Sequence, residues 1–213
     1  MITFKQFMSE EEKLTIEEWV KQNCSGLVKE FKGHAHDVVM SEFALYRGIN
    51  STSSEKVQFS DVKAPAYIMK VRSDRKPSDT ALQIHKMVDE ELHKRFGWYP
   101  RSSSVFCFGK AGLSFTDDFG PAFRIYPMGE IKYIWNPEVT DLYGTLGQIR
   151  RNDPELAAVR RKDVLTNDEV EAWRKALQPV FDGYKYTGLE ECMTHTRPFE
   201  IMMGCKEYLA IEN

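Results

Sequence analysis

Three polar elements of this 213-residue chain stand beside apolar, strand-like sequence, where charged and hydroxyl side chains could do chemistry. Arg47 lies inside LYRGI, the hydroxyl run 102–104 leads into VFCFG, and Glu200 opens EIMMGC. An arginine among aliphatic and aromatic residues is costly to bury alone, so Arg47 either pairs with an acid or binds a ligand's phosphate. The next residue, Gly48, would let such a ligand approach closely. The apolar neighbours of Glu200 would exclude water around its carboxylate.

In this order and with these flanks, the three elements resemble the mono-ADP-ribosyltransferases, in the branch whose signature is an arginine, a serine motif and a glutamate on three strands. LYRGI matches the family's aliphatic-Tyr-Arg-Gly strand, and FEIMM matches its glutamate before an apolar strand. The run YPRSSS, residues 99–104, is the counterpart of the serine motif, aligned to within one residue. A literal Ser-Thr-Ser at 51–53 follows Arg47 too closely to occupy a separate strand. The ordered landmarks extend from residue 43 to 211, and this layout is common among phage-encoded proteins.

The resemblance implies that NAD is the substrate and that no metal is required. Glu200 would face the oxocarbenium-like ribose formed when the nicotinamide–ribose bond breaks. Arg47 would hold the phosphates, the serines would orient the ribose and Glu200, and Phe115 or Phe119 would lie over the nicotinamide ring. The implied catalytic set is Glu200, Arg47, Ser102 and Ser103, and the implied NAD-binding set is Arg47, Gly48, Ser102, Ser103, Ser104, Phe115 and Phe119.

The chain departs from the arginine-modifying members of that family two residues before the glutamate. Those members carry Glu or Gln there, whereas this chain has Pro198, which cannot activate an acceptor. The resemblance therefore implies transfer of ADP-ribose to an acceptor other than arginine, with a protein as the expected macromolecular partner. Another side chain, a nucleic-acid base, a small molecule and water all remain possible acceptors.

Two other classes of function compete with the enzyme. The same fold could persist without catalysis, as a structural or partner-binding protein in a virus particle or against a host factor. A nucleic-acid-binding module could form around a basic cluster, although a formal charge of -3 and the lack of a recognisable nucleic-acid-binding motif count against it. The basic cluster consists of Arg150, Arg151, Arg160, Arg161 and Lys162.

Neither metal nor disulfide chemistry is favoured by the remaining candidates. His85, Asp89 and His93 would share one helix face, but that spacing is also typical of a solvated polar stripe, and we expect no metal there. The four cysteines form no C-x-x-C pair, which indicates reduced thiols in a cytosolic protein, or one in the host cytosol or virion if phage-encoded. No apolar run approaches the ~18 residues that span a bilayer, so we expect no membrane partner.

The expected helices and strands indicate one α+β domain over residues 1–213. Residues 1–40 are expected to form an N-terminal helical segment, in which Ser9 and Glu12 match a capping box. Together with the resemblance, the expected helices and strands predict a split, mostly antiparallel sheet that holds an NAD cleft. The expected strands are FALYRGI, AYIMKV, SSSVFCFG, AFRIYPM, EIKYIWNP and a single final strand, FEIMMGCKEYLAI. The other expected elements are a helix capped by Ser78 or Asp79 and ended by Gly97, helices at 168–177 and 188–193, and a solvated connection over 150–162.

Overall fold

The computed structural model of the protein describes residues 13–50, 57–60, 62, 65–73, 80–157 and 164–212. Its helices are α1 Ile16–Asn23, α2 Ser25–Glu30, α3 Ala35–Val39, α4 Leu82–Phe96, α5 Pro100–Ser103, α6 Leu142–Asn152, α7 Pro154–Ala157, α8 Asn167–Ala176, α9 Gln178–Gly183 and α10 Leu189–Thr194. Its strands are β1 Leu45–Gly48, β2 Val57–Phe59, β3 Ala66–Lys70, β4 Val105–Phe108, β5 Ala122–Pro127, β6 Lys132–Trp135, β7 Glu200–Gly204 and β8 Glu207–Glu212.

The strands form one antiparallel sheet in the order β2-β3-β8-β5-β1-β4-β7-β6. The sheet is weakest between β1 and β4, where Tyr46 and Phe108 are the one residue pair in register. By contrast, β1 pairs with β5 at four positions and β4 with β7 at four. We call β2-β3-β8-β5-β1 the long half-sheet and β4-β7-β6 the short half-sheet. The α+β class and the antiparallel sheet expected from the sequence are confirmed.

The final apolar run supplies one strand to each half-sheet and is not a single strand as predicted. β7 pairs with β4 and β6, whereas β8 pairs with β3 and β5. The chain leaves the short half-sheet after Gly204 and enters the long one at Glu207. The Lys206 carbonyl there accepts a hydrogen bond from the Val71 amide at 3.0 Å, a polar interruption that the apolar pattern hides.

Two hydrophobic cores lie on the sheet. The first packs α1 and α2 against strand residues of both half-sheets, with Trp19, Leu27, Ile125 and Ile201 among its members. The second packs α4, α6, α8 and α9 against Ile134 of β6 and Met202 of β7. Because successive strand residues point to opposite faces, Ile201 and Met202 contribute to different cores, and β7 is covered on both sides.

Helix ends follow local sequence signals. α1 begins at a capping box in which Thr15 and Glu18 exchange hydrogen bonds, and Cys24 is its C-terminal cap. α4 ends at Gly97, whose φ of 74° is the left-handed conformation that glycine adopts without strain. The expected caps Ser9, Glu12, Ser78 and Asp79 lie outside the described residues.

Two further sequence predictions are corrected. Ser102 and Ser103, which were expected to open a strand, instead end the short helix α5, whose first turn contains Pro100, where a missing N–H costs nothing. The expected solvated connection over 150–162 is helical through Asn152 and again over Pro154–Ala157, with Arg150 and Arg151 in the last turn of α6. In the described part of the chain, no helix has the length and apolar character needed to cross a membrane.

Candidate functional site

Glu200 is the first residue of β7, and its carboxylate is almost buried. Its amide donates to the Thr140 carbonyl at 2.9 Å, which fixes the strand's start. Its Oε1 lies 3.5 Å from Nη1 of Arg101, and the two side chains are 11% and 8% exposed. The sequence-predicted carboxylate therefore has a guanidinium partner that sequence reasoning did not assign.

Arg101 is positioned by a buried carboxylate on α4. Asp89, 5% exposed, accepts the Arg101 amide on Oδ1 at 2.7 Å and the Ser102 amide on Oδ2 at 3.2 Å. The Ser102 hydroxyl donates to the same Oδ2. Since amides at the start of a helix have no intrahelical acceptor, Asp89 satisfies them and fixes α5 on α4. These hydrogen bonds fix the backbone position of Arg101 relative to α4.

Phe106 of β4 connects Arg101 with Arg47. The Arg101 guanidinium carbon lies 4.8 Å from the centroid of the Phe106 ring, a cation–π contact. The Phe106 carbonyl accepts a hydrogen bond from Nη1 of Arg47 at 2.9 Å. This bond crosses from β1 to β4 at the weak seam of the sheet, so the side chain of Arg47 holds the two half-sheets together.

The register places Arg47 and Glu200 on different faces of the sheet. Tyr46 pairs with Phe108, and Phe108 pairs with Glu200, so these three side chains share one face. Arg47, one residue along β1, points to the other face. The guanidinium next to Glu200 is therefore that of Arg101, and the structure does not bring the two expected motif residues into direct contact.

The hydroxyls of the three serines in the motif have different surroundings. The hydroxyl of Ser102 is bound to Asp89, and that of Ser103 donates to the Tyr99 carbonyl at 2.5 Å on the surface. Ser104 is 4% exposed, and its hydroxyl has no hydrogen-bond partner among the described residues. The expected orientation of Glu200 by Ser102 and Ser103 is therefore not what the structure contains. The literal Ser-Thr-Ser at 51–53 lies outside the described residues.

Gly48 is approached closely, but by this chain and not by open space. A Cβ built on Gly48 would meet the Thr116 carbonyl oxygen and would lie 2.8 Å from Cβ of Phe119. Both neighbours belong to the 3₁₀ segment Lys110–Phe119, which crosses the end of β1. The absence of a side chain at Gly48 allows this crossing, so on this side of the glycine it is the chain itself that approaches.

The two candidate nicotinamide-stacking rings differ in their surroundings. Phe115 is 37% exposed and stacks on Phe108 with ring centroids 5.8 Å apart and an interplanar angle of 28°. Phe119 is 63% exposed. Because Phe108 pairs with Glu200 in the sheet, Phe115 is the candidate ring connected to the glutamate.

A tyrosine hydroxyl adds to the electrostatics around Glu200. Burial raises the pKa of Tyr184 well above its usual value, and the charges of Glu200 and Asp141 raise it further, while Arg101 lowers it. Tyr184 is thus a neutral hydroxyl at physiological pH, close enough to sense both partners of the ion pair. No sequence signal pointed to Tyr184, or to Arg101 as the partner of Glu200.

The remaining candidates have structural contacts. Asp89 holds α5, and the His93 ring stacks on Tyr99 with centroids 4.1 Å apart. Over the described ranges, no cluster of three His, Cys, Asp or Glu side chains is arranged to hold a metal ion. All four cysteines are unpaired thiols, and three of them are buried. Arg160, Arg161 and Lys162 of the basic cluster lie outside the described residues.

A surface groove of about 440 Å³ lies along α8 and the start of α9, and none of its lining residues belongs to the predicted site. It is lined by Asp168, Glu171, Ala172, Arg174, Lys175 and Gln178. No protein-family model, curated protein or solved structure matches this chain.

Proposed function

We propose that this protein is an NAD-dependent mono-ADP-ribosyltransferase that releases nicotinamide and transfers ADP-ribose to an acceptor other than arginine. The observation that carries the proposal is the carboxylate of Glu200, almost buried at the first residue of β7 and next to the Arg101 guanidinium. A fixed carboxylate can stabilise the oxocarbenium-like ribose that forms when an N-glycosidic bond breaks.

Glu200 supplies the electrostatic part of the reaction. The bond between ribose C1′ and the nicotinamide nitrogen breaks, and nicotinamide leaves with the electron pair. The acceptor's lone pair then forms the new bond to C1′, and the acceptor loses its proton to solvent. The positive charge that develops on the ribose is stabilised by the fixed carboxylate, a contribution of about 3 kcal/mol if a typical single-group effect applies.

The expected NAD-binding residues divide between the two faces of the sheet. Arg47 lies on the face opposite Glu200, where its guanidinium binds the Phe106 carbonyl, so no contact with NAD is proposed for it. Phe115, stacked on Phe108 in the row of Glu200, is the ring proposed to lie over the positively charged nicotinamide. Pro198, two residues before Glu200, has no group that could activate an arginine acceptor.

The experiment that tests this function uses NAD carrying an affinity tag on its adenine. The purified protein is incubated with tagged NAD and cell lysate, and label is measured separately in protein, nucleic acid and small molecules, with Glu200→Gln as control. Label in one fraction that depends on Glu200 supports transfer and identifies the acceptor class. Label that is the same with both proteins, or that is absent while nicotinamide also stays bound in NAD, contradicts the proposal.

A second candidate function is a partner-binding protein that keeps this fold without catalysis. It is favoured by the engagement of the expected site groups with the chain itself, namely Ser102 with Asp89, Glu200 with Arg101 and Gly48 with Thr116. In that case NAD would neither be consumed nor raise the melting temperature of the protein, and the same labelling experiment separates the two candidates.

A further inference from the structure

The Arg101 guanidinium has more hydrogen-bonding capacity than its surroundings use. A guanidinium carries five N–H donors. Nη1 faces Glu200 at 3.5 Å, at the long limit of a hydrogen bond, and Nε has no partner among the described residues. The residue is 7% exposed. A buried donor without an acceptor is unfavourable in a folded protein, and an anionic ligand would satisfy it.

The same short segment carries a second buried donor. The Ser104 hydroxyl, three residues after Arg101, is also without a hydrogen-bond partner among the residues that the structure describes. Ser104 is 4% exposed, so water does not surround it. Two unsatisfied buried donors within four residues distinguish this segment from an ordinary loop, in which polar groups are paired or solvated.

The backbone and the guanidinium of Arg101 are both held in place. Its backbone is tied to α4 by Asp89, and its guanidinium lies on the Phe106 ring. The carbonyl of Phe106 binds the second guanidinium, that of Arg47. A planar guanidinium fork held in this way matches the oxygens of a phosphate better than a single carboxylate oxygen at 3.5 Å.

From these contacts we propose that Arg101 binds the diphosphate of the substrate, which replaces Glu200 as its ion-pair partner. This inference rests on the proposed function, because it assigns a part of NAD to the same site. In the resting protein, Arg101 holds Glu200. When the diphosphate arrives, it becomes the partner of Arg101, and Glu200 is released to face the ribose. No covalent bond changes in this exchange.

The test measures anion binding by calorimetry, with pyrophosphate and ADP-ribose as probes. The compared proteins are the wild type, Glu200→Gln, the double variant Glu200→Gln/Arg101→Gln, and Arg95→Gln. Arg95 is a matched control, because it also pairs with a carboxylate, Asp182 at 2.9 Å, and lies 5.9 Å from a phenylalanine ring centroid, that of Phe181. The double variant removes both charges of the buried pair, so neither is left unpaired.

Glu200→Gln is expected to bind both probes several-fold more tightly than the wild type, because the carboxylate no longer competes for Arg101. Adding Arg101→Gln should weaken binding by about tenfold or more, as expected for lost hydrogen bonds to a charged group. Arg95→Gln should bind like the wild type. Equal affinities of Glu200→Gln and the double variant, or no binding of either probe to any of the proteins, would overturn the role of Arg101.

Nicotinamide release from NAD separates this inference from the function on which it rests. If nicotinamide release depends on Glu200 but anion binding does not depend on Arg101, the protein is an enzyme in which Arg101 does not have the proposed role. If pyrophosphate binding depends on Arg101 but no nicotinamide is released from NAD, the protein has an anion site and is not a transferase. Thermal unfolding of each variant identifies any loss of binding that comes from a loss of folding.

Discussion

Arg101 and Glu200 form an ion pair across 99 positions of sequence, with Nη1 and Oε1 3.5 Å apart and both side chains about nine-tenths buried. The pair joins α5 to the first residue of β7. Its burial matters energetically, because a charge left alone in such a place cannot be fully hydrated. Removing one partner should therefore cost more stability than removing both.

A double-mutant cycle checks this relationship. Arg101→Gln alone should lower the free energy of unfolding by about 3 kcal/mol, because it removes a guanidinium from beside a nearly buried carboxylate. The double variant Arg101→Gln/Glu200→Gln should recover part of that loss in urea unfolding. The matched exposed pair, Arg95 and Asp182, should show a coupling below ~1 kcal/mol. Additive losses at the buried pair would mean that the two charges do not interact.

Asp89 is expected to be a major determinant of local stability. Asp89→Asn removes one of the two carboxylate oxygens that accept from the Arg101 and Ser102 amides and the Ser102 hydroxyl. We expect a loss of about 1–3 kcal/mol, because a buried donor is left unsatisfied. Asp153→Asn is the control: at this half-exposed position one oxygen, Oδ1, accepts both the Glu155 and Leu156 amides, so asparagine keeps both hydrogen bonds. Equal losses measured in urea would contradict the importance of the second, buried oxygen of Asp89.

Arg47 should contribute to stability but not to NAD binding. Arg47→Ala deletes the hydrogen bond to the Phe106 carbonyl across the seam, for which we expect a loss of about 1 kcal/mol in the free energy of unfolding. Because Arg47 lies on the face opposite Glu200, NAD should still raise the melting temperature of this variant. Lys70→Ala, an exposed change at the end of β3, should leave both the stability and the NAD-induced shift unchanged. An NAD-induced shift that disappears in Arg47→Ala would place Arg47 in the binding site.

The buried thiols predict a loss of stability at alkaline pH. Burial raises the pKa of Cys24 and of Cys205 from the ordinary 9.0 to about 12 in each case. Above pH 9, the unfolded chain releases these protons while the folded chain keeps them, so the stability present at lower pH is lost as pH rises toward 12. Each thiol should steepen the decline by about 1.4 kcal/mol per pH unit.

Urea unfolding at several pH values between neutral and 11 measures this slope. Cys24→Ala is expected to be less stable at neutral pH, because it leaves a small cavity, but to lose stability with rising pH more slowly than the wild type. A slope that does not change in Cys24→Ala would show that this thiol ionises equally in the folded and unfolded chains.

The strands that the sequence predicts well are those whose signals are local. LYRG and AFRIYP carry apolar and aromatic residues between polar or turn residues, and both are strands. α4 ends at Gly97 as its sequence indicates. The sequence does not predict β2, because three residues after a polar stretch carry too little hydrophobic pattern. Its strand conformation depends on its pairing with β3.

The candidate site was predicted only in part, because its contacts are long-range. The position of Glu200 before an apolar strand followed from its neighbours. Its partner Arg101 did not, since a contact between residues 99 positions apart leaves no periodicity. The same applies to Ser102, whose hydroxyl binds Asp89, thirteen positions earlier and on a different helix.

The role of Glu200 is tested most directly by the release of free nicotinamide from NAD by the purified protein, compared with Glu200→Gln. We expect release by the wild type and a decrease of about 10²–10³-fold in the variant, the usual effect of removing one group that stabilises developing charge. The variant should keep its fold and bind NAD at least as tightly as the wild type. Release at the same rate from both proteins, or from neither, would contradict the central role of Glu200.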